Sequence, residues 1–204
     1  MKKLSKPSFQ AVMLNFPALN AVKGSKSYRR ISLLLLSFLL LSATSCNNDD
    51  DNNCQGIDCL PPATQTGEGT FGCLVNGVPF VDNSGFFNCF YQLVDGEYYF
   101  GIGSDKELLP ITQIIILSWM QEIEIGTTIE LESRNNGNFF SEIAFDCFCP
   151  NATTTDGLDG NITFTEFNIN SNIVSAIFEF TVIDPSTGTV YEITEGRFDS
   201  FFTQ

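Results

Sequence analysis

TFGCLVNGVPFV, residues 70–81, decides the fold class. Two short runs rich in β-branched and aromatic residues, 70–75 and 78–81, flank Asn76-Gly77. Both turn residues tolerate the positive φ of a type I′ turn, so the stretch reads as a β-hairpin. The same logic extends outward. Residues 84–94 and 97–103 flank Asp95-Gly96 and form a second expected hairpin. Residues 111–120, ITQIIILSWM, are apolar on both alternating faces, which predicts a central strand covered on both sides. A buried helix is the rival reading, and length and β-branching favour the strand. Residues 127–133 alternate, with Ile129 and Leu131 on one face. In residues 141–149 Ile143, Phe145 and Cys147 share a face, and 151–160 is a Thr-, Asp- and Gly-rich loop. Alternation resumes over 162–167. It continues over 173–183, where Val174, Ala176, Phe178, Phe180 and Val182 point inward, and the turn at 184–188 with Pro185 in second place leads back into 189–202. A short turn near 105–109 is the nearest approach to a helix. The expected fold is all-β: a single antiparallel β-sandwich of about ten strands over 70–204, with a flattened up-and-down barrel as the alternative.

Ahead of this domain Arg29 and Arg30 lead into an apolar run from Ile31 to Leu41, and the small residues Ser42 to Ser45 then meet Cys46. Even taken to Ser45, the segment would span roughly 22 Å as a helix, short of a hydrocarbon core of ~30 Å, so a secretory signal is expected over residues 1–45 rather than a membrane span. Ala43-Thr44-Ser45-Cys46 resembles a loose bacterial lipobox, with Ala43 where the strictest form has Leu. That resemblance makes Cys46 the acylated residue and new N-terminus. An ordinary secretory signal, with Cys46 as one more disulfide partner, is the alternative. Thirty residues precede the apolar run, which also admits an upstream misassignment of the start codon. Residues 47–69, NNDDDNNCQGIDCLPPATQTGEG, are polar and lack apolar periodicity; with Cys46 they are expected to form a flexible acidic tether with a coil span of roughly 25 to 30 Å.

Charge divides sharply at Cys46. Seven of the 10 basic residues precede it and all 24 acidic ones follow it, so the mature chain carries 3 basic against 24 acidic groups, net −21. Only Lys106, Arg134 and Arg197 remain to meet phosphate, which excludes nucleic acid as a partner and disfavours anionic lipid surfaces. Twenty Phe and 43% apolar residues separate the chain from disordered acidic tails. Histidine is absent, and with it the commonest general base and metal ligand.

The residues 70–77, TFGCLVNG, with IVSAIFEF at 173–180 and ITEGRFD at 193–199, resemble a domain-of-unknown-function family of Bacteroidota lipoproteins, small all-β domains behind a lipobox. Ala176 stands where that pattern usually has Gly. The resemblance implies the architecture and carries over no catalytic residue. Asp49, Asp50 and Asp51, just after Cys46, also resemble the acidic tract of lipoproteins exported to the outer face of the outer membrane; plain linker polarity is the alternative.

Besides Cys46 the chain has Cys54, Cys59, Cys73, Cys89, Cys147 and Cys149, an even set that in an exported protein predicts three disulfides. A zinc site is the rival, without standard spacing or any His. Cys54 and Cys59 suit a small local loop. Cys147 and Cys149, two apart on an expected strand, point the same way and are not expected to bond each other, which leaves Cys73 and Cys89 as their partners. Asp156, Asp159 and Asn161 gather oxygen ligands in one loop and form a weak calcium candidate; a solvated turn held by Asx hydrogen bonds is the favoured reading, and no cofactor is expected. Glu195, Arg197 and Asp199 alternate on one strand face, which suits a structural ion pair better than a pair of catalytic acids. The doublets Phe86-Phe87, Phe139-Phe140 and Phe201-Phe202 offer stacking for carbohydrate or, more commonly, core on one side.

The expected function is a non-enzymatic lipoprotein of the outer membrane, anchored by acyl chains on Cys46. Its β-domain would face outward from the cell surface and bind a ligand or an envelope protein. The alternatives are a secreted carboxylate-dependent glycan hydrolase and a structural component of an envelope complex.

Overall fold

A computed structural model describes residues 54–82, 87–104, 108 and 110–204. Eleven strands follow in order: β1 (Thr70–Val75), β2 (Val78–Asp82), β3 (Asn88–Val94), β4 (Glu97–Gly103), β5 (Ile111–Trp119), β6 (Thr128–Glu130), β7 (Phe139–Phe145), β8 (Ala152–Thr153), β9 (Gly160–Asn168), β10 (Ile173–Ile183) and β11 (Val190–Phe201). They form two antiparallel sheets, β2-β1-β11-β10-β9-β6 and β3-β4-β5-β7-β8. Each sheet keeps two edges, so the fold is a sandwich and the barrel alternative falls.

Local chemistry accounts for the hairpins. Asn76 and Gly77 adopt φ of 48° and 80°, and Asp95 and Gly96 adopt 52° and 89°, the left-handed pair that matches the twist of the flanking strands. In the turn after β10, Asp184 accepts from the Ser186 amide and the Thr187 hydroxyl.

The two sheets cross. Phe87, just before β3, meets Phe71 of β1 with ring centroids 6.4 Å apart, while Tyr91, four residues on, meets Phe167 of β9 at 4.8 Å. Likewise Phe139 at the start of β7 touches Phe164 of β9 at 5.5 Å, and Phe145 at its end touches Tyr191 of β11 at 5.6 Å. A strand that starts over one strand of the facing sheet and ends over another runs across it, as in orthogonally packed sandwiches. Phe71, Phe80, Phe100, Phe139 and Phe164 are fully buried where the sheets meet, beside Ile114, Ile116, Ile143 and Ile162. Losing any one of these Phe rings costs about 3–5 kcal/mol by transfer and cavity formation.

Three expectations need correction. Alternation in 127–133 survives as strand only over Thr128–Glu130, because Leu131 bridges to Phe139 and the Glu132 amide donates to the Phe139 carbonyl, carrying the chain from one sheet to the other. The loop expected over 151–160 includes the short edge strand Ala152–Thr153. β5 is central as read, third of five, yet only its inner face is fully buried: Ile115, Leu117 and Trp119 on the other face are partly exposed.

One bulge in β11 shapes the outer side of the six-stranded sheet. Phe178 pairs with Gly196 and Phe180 with Ile193, so one residue of β10 faces two of β11, and Glu195 turns to φ 54°. A Cβ on Gly196 would lie 2.4 Å from the Phe178 ring and 2.5 Å from its carbonyl oxygen, which only glycine avoids.

Candidate functional site

Cys46 and the Asp49-Asp50-Asp51 tract lie outside the described residues, as do Phe86 and most of the expected turn at 105–109. Of the six domain cysteines, Cys54 bonds Cys59 as expected, but Cys147 bonds Cys149, and Cys73 and Cys89 are buried free thiols. The three-bridge framework is therefore corrected to two. β7 ends at Phe145, and the Cys147 amide donates to the Phe145 carbonyl two residues back, so the chain is already turning and the same-face rule for a strand does not apply. Burial pushes both thiols up, Cys89 to about 12 against a counteracting hydrogen bond with Ser200.

The calcium candidates go separate ways. Asp156 accepts from the Ser133 amide at 3.1 Å, and Asn161 donates to Glu179 at 2.9 Å. Hydrogen bonds from the Ser133 side chain and amide hold Asp156 below the usual carboxylate range. With Asp159 these residues line an acidic groove of about 690 Å³ shared with Glu130 and Glu132. Among the described residues no set of three Asp, Glu, Cys or His side chains converges on a metal position.

Glu195, Arg197 and Asp199 also separate. Arg197 pairs with Glu195 at 3.2 Å, because the bulge swings Glu195 back towards it. Asp199 is buried and takes five donors: the hydroxyls of Ser175 and Thr64, each at 2.7 Å, and the amides of Thr66, Gly67 and Glu68 at 2.8 to 3.1 Å. Burial would raise its pKa, but hydrogen bonds from Thr64, Ser175, Thr66 and Gly67 outweigh that and hold it below the ordinary value. Three successive amides folded round one carboxylate make a backbone nest for an anion supplied by the chain itself.

That clasp corrects the tether. From Cys54 on, the chain packs against the domain: a 3₁₀ turn at Gly56–Cys59 is closed by its disulfide, Leu60 is buried, Pro61 lies against Gly72, and Gln65 donates to the Thr165 carbonyl on β9. Residues 60–69 form a strap across the outer face of the six-stranded sheet. The polar, Pro-bearing composition read as a spacer serves turns in which the Thr64 hydroxyl and the amides of Thr66, Gly67 and Glu68 share one carboxylate.

The outer face of the five-stranded sheet is a surface the sequence reading missed. The ladder aligns Phe90, Gly101, Leu117 and Phe140 in one row across four strands, with Gln92, Tyr99 and Trp119 in the next. Without a side chain on Gly101, the Phe90 ring fills that space beside Leu117, its carbons 2.5 Å from where a Cβ would stand, and the Gln113 amide nitrogen lies 3.0 Å from the corresponding point on Gly103. Trp119 meets Phe140 edge-on at 5.2 Å, and the Arg134 guanidinium sits 4.7 Å from the Trp119 ring centre. Arg134 also pairs with the buried Glu142 at 3.2 Å, whose other oxygen takes the Asn151 amide. Apart from Glu97 at the hairpin tip, Glu142 is the one carboxylate these strands turn outward. The opposite outer face carries Glu130, Glu166, Glu179, Glu192 and Asp199 against Arg197. The signal that could have revealed the platform was the apolar character of both faces of ITQIIILSWM, which was read as burial.

Comparison of the chain with known protein families, with curated proteins and with solved structures finds no match in any of the three.

Proposed function

We propose that this chain is a non-enzymatic lipoprotein, held by acyl chains on Cys46 at the outer face of the outer membrane, whose β-domain binds through the outer face of its five-stranded sheet. The observation that carries the binding part is the contrast between the two outer faces. On a chain with 3 basic and 24 acidic groups after Cys46, one broad face presents partly exposed aromatic side chains with Glu97 and the Arg134–Glu142 pair as its charges, whereas the opposite face sets exposed Ile177 and Phe201 among carboxylates. A contiguous apolar face on a soluble sandwich marks an interaction surface. Among the described residues the carboxyls with a clear pKa shift, Asp156, Asp184 and Asp199, are held low by hydrogen bonds from turn residues, the opposite of what a general acid requires.

The anchor reading rests on the run from Arg29 to Cys46. With the strap docked from Cys54, only residues 47–53 remain between the acyl cysteine and the domain, and the coil span of the tether falls to roughly 15 Å. The domain then stands close over the headgroups. Cys46→Ser should abolish fatty-acid labelling and release the protein from the membrane fraction, since stable anchoring needs more than the ~10⁴ M⁻¹ one acyl chain provides. Wild-type protein that is soluble without detergent overturns the anchor.

A further inference from the structure

From the chemistry of this face we infer that its ligand is an uncharged polysaccharide, stacked on Phe90, Tyr99 and Trp119; the inference rests on the proposal that the outer face of the five-stranded sheet is the binding surface. Charge makes the first selection. An anionic ligand would meet a chain of net −21, and a cationic one would be drawn to the opposite face with its row of carboxylates, so the neutral face is where an uncharged ligand has the advantage. Shape makes the second. The Phe90 ring covers Gly101 and the Gln113 amide covers Gly103, so the space a side chain at either glycine would take is filled by a neighbouring ring or amide rather than left as a hole. Protein partners are held by side chains that fill pockets, whereas the apolar face of a pyranose ring needs a flat aromatic surface. The third selection is spacing and polarity. Tyr99 and Trp119 are direct cross-strand neighbours, and adjacent strands stand ~4.8 Å apart, so consecutive units of a chain laid across the strands would meet Tyr99 and then Trp119, one face of which is taken by the Arg134 guanidinium. Around the rings Gln92, Gln113, Asn151 and Arg134 supply both donors and acceptors, the mixture that sugar hydroxyls require.

Trp119 is the only tryptophan in the chain, so its emission reports on this face without a label. The test uses the whole chain as its Cys46→Ser variant, titrated with hydroxyethyl cellulose, dextran and mannan, and with polygalacturonate as the charged control. A saturable change in Trp119 emission with at least one neutral polymer and none with polygalacturonate is expected. Tyr99→Ala and Phe90→Ala should each weaken binding about tenfold, the order of one stacking contact, while Glu179→Gln on the opposite face leaves it unchanged. Near-ultraviolet circular dichroism confirms that each variant keeps its fold, and the half-exposed Tyr99 carries the test should Phe90→Ala lose it. No response to any neutral polymer, or binding that survives both ring substitutions, overturns the inference. A concentration-dependent dimer that shields Trp119 from acrylamide without glycan also overturns it, while leaving the face as a binding surface. Trp119 that stays open to acrylamide in the presence of glycan and of extracted envelope protein alike removes the face itself.

Discussion

Thr64 and Asp199, 135 residues apart in sequence, are joined by a 2.7 Å hydrogen bond from the threonine hydroxyl to the carboxylate. Around that contact the strap and the sheet become one unit, since Ser175 of β10 and three strap amides share the same carboxylate.

Asp199→Asn keeps the size and removes the charge, and its amide nitrogen would face donors. With several charge-assisted bonds weakened, the loss at pH 7 should be about 2–4 kcal/mol in urea unfolding, with faster amide exchange in residues 64–69. The pH dependence has a definite sign. A carboxyl held low in the fold contributes its stability above its unfolded pKa, and that contribution is lost as pH falls through the folded pKa. The gap between wild type and Asp199→Asn should therefore be constant from pH 7 to about pH 5 and close below about pH 4. A gap independent of pH down to acid unfolding would show that the charge at Asp199 does not hold the strap.

Of the six cysteines after Cys46, two should be alkylated in the unreduced, denatured protein, and mass mapping should place them at Cys73 and Cys89. In the native state at pH 8 both should resist alkylation, because burial keeps them protonated and out of reach. Finding no free thiol would restore the three-bridge framework.

Gly196→Ala should destabilise by about 3 kcal/mol, since the added methyl meets both the Phe178 ring and its backbone oxygen and cannot be relieved by rotating one side chain. Thermal unfolding measures it. A variant as stable as the wild type would mean that the bulge opens freely.

Replacing Asp49, Asp50 and Asp51 with Ala should leave acylation intact and turn the domain inward, so protease added to intact cells would digest the wild type and spare the variant. Equal digestion of both would remove the export role of the tract.

Much of this protein follows from local sequence. Asn76-Gly77 and Asp95-Gly96 determine their hairpins because the backbone preference of two residues suffices, and the inward set from Val174 to Val182 is legible because strand periodicity is local. The central position of β5 was legible for the same reason. What the ladder alone decided is which residues stand beside each other across strands: Tyr99 beside Trp119, Phe90 over Gly101, and Thr64 on Asp199. Composition could count carboxylates but could not assign them to one outer face, and it read the strap as a spacer because a single buried acceptor 135 residues away supplied what its own residues lacked. A strand apolar on both sides has the same sequence whether its second face is covered by protein or left partly exposed. Only the pairing of β5 with β4 and β7, and the partly exposed row it builds, distinguishes the two.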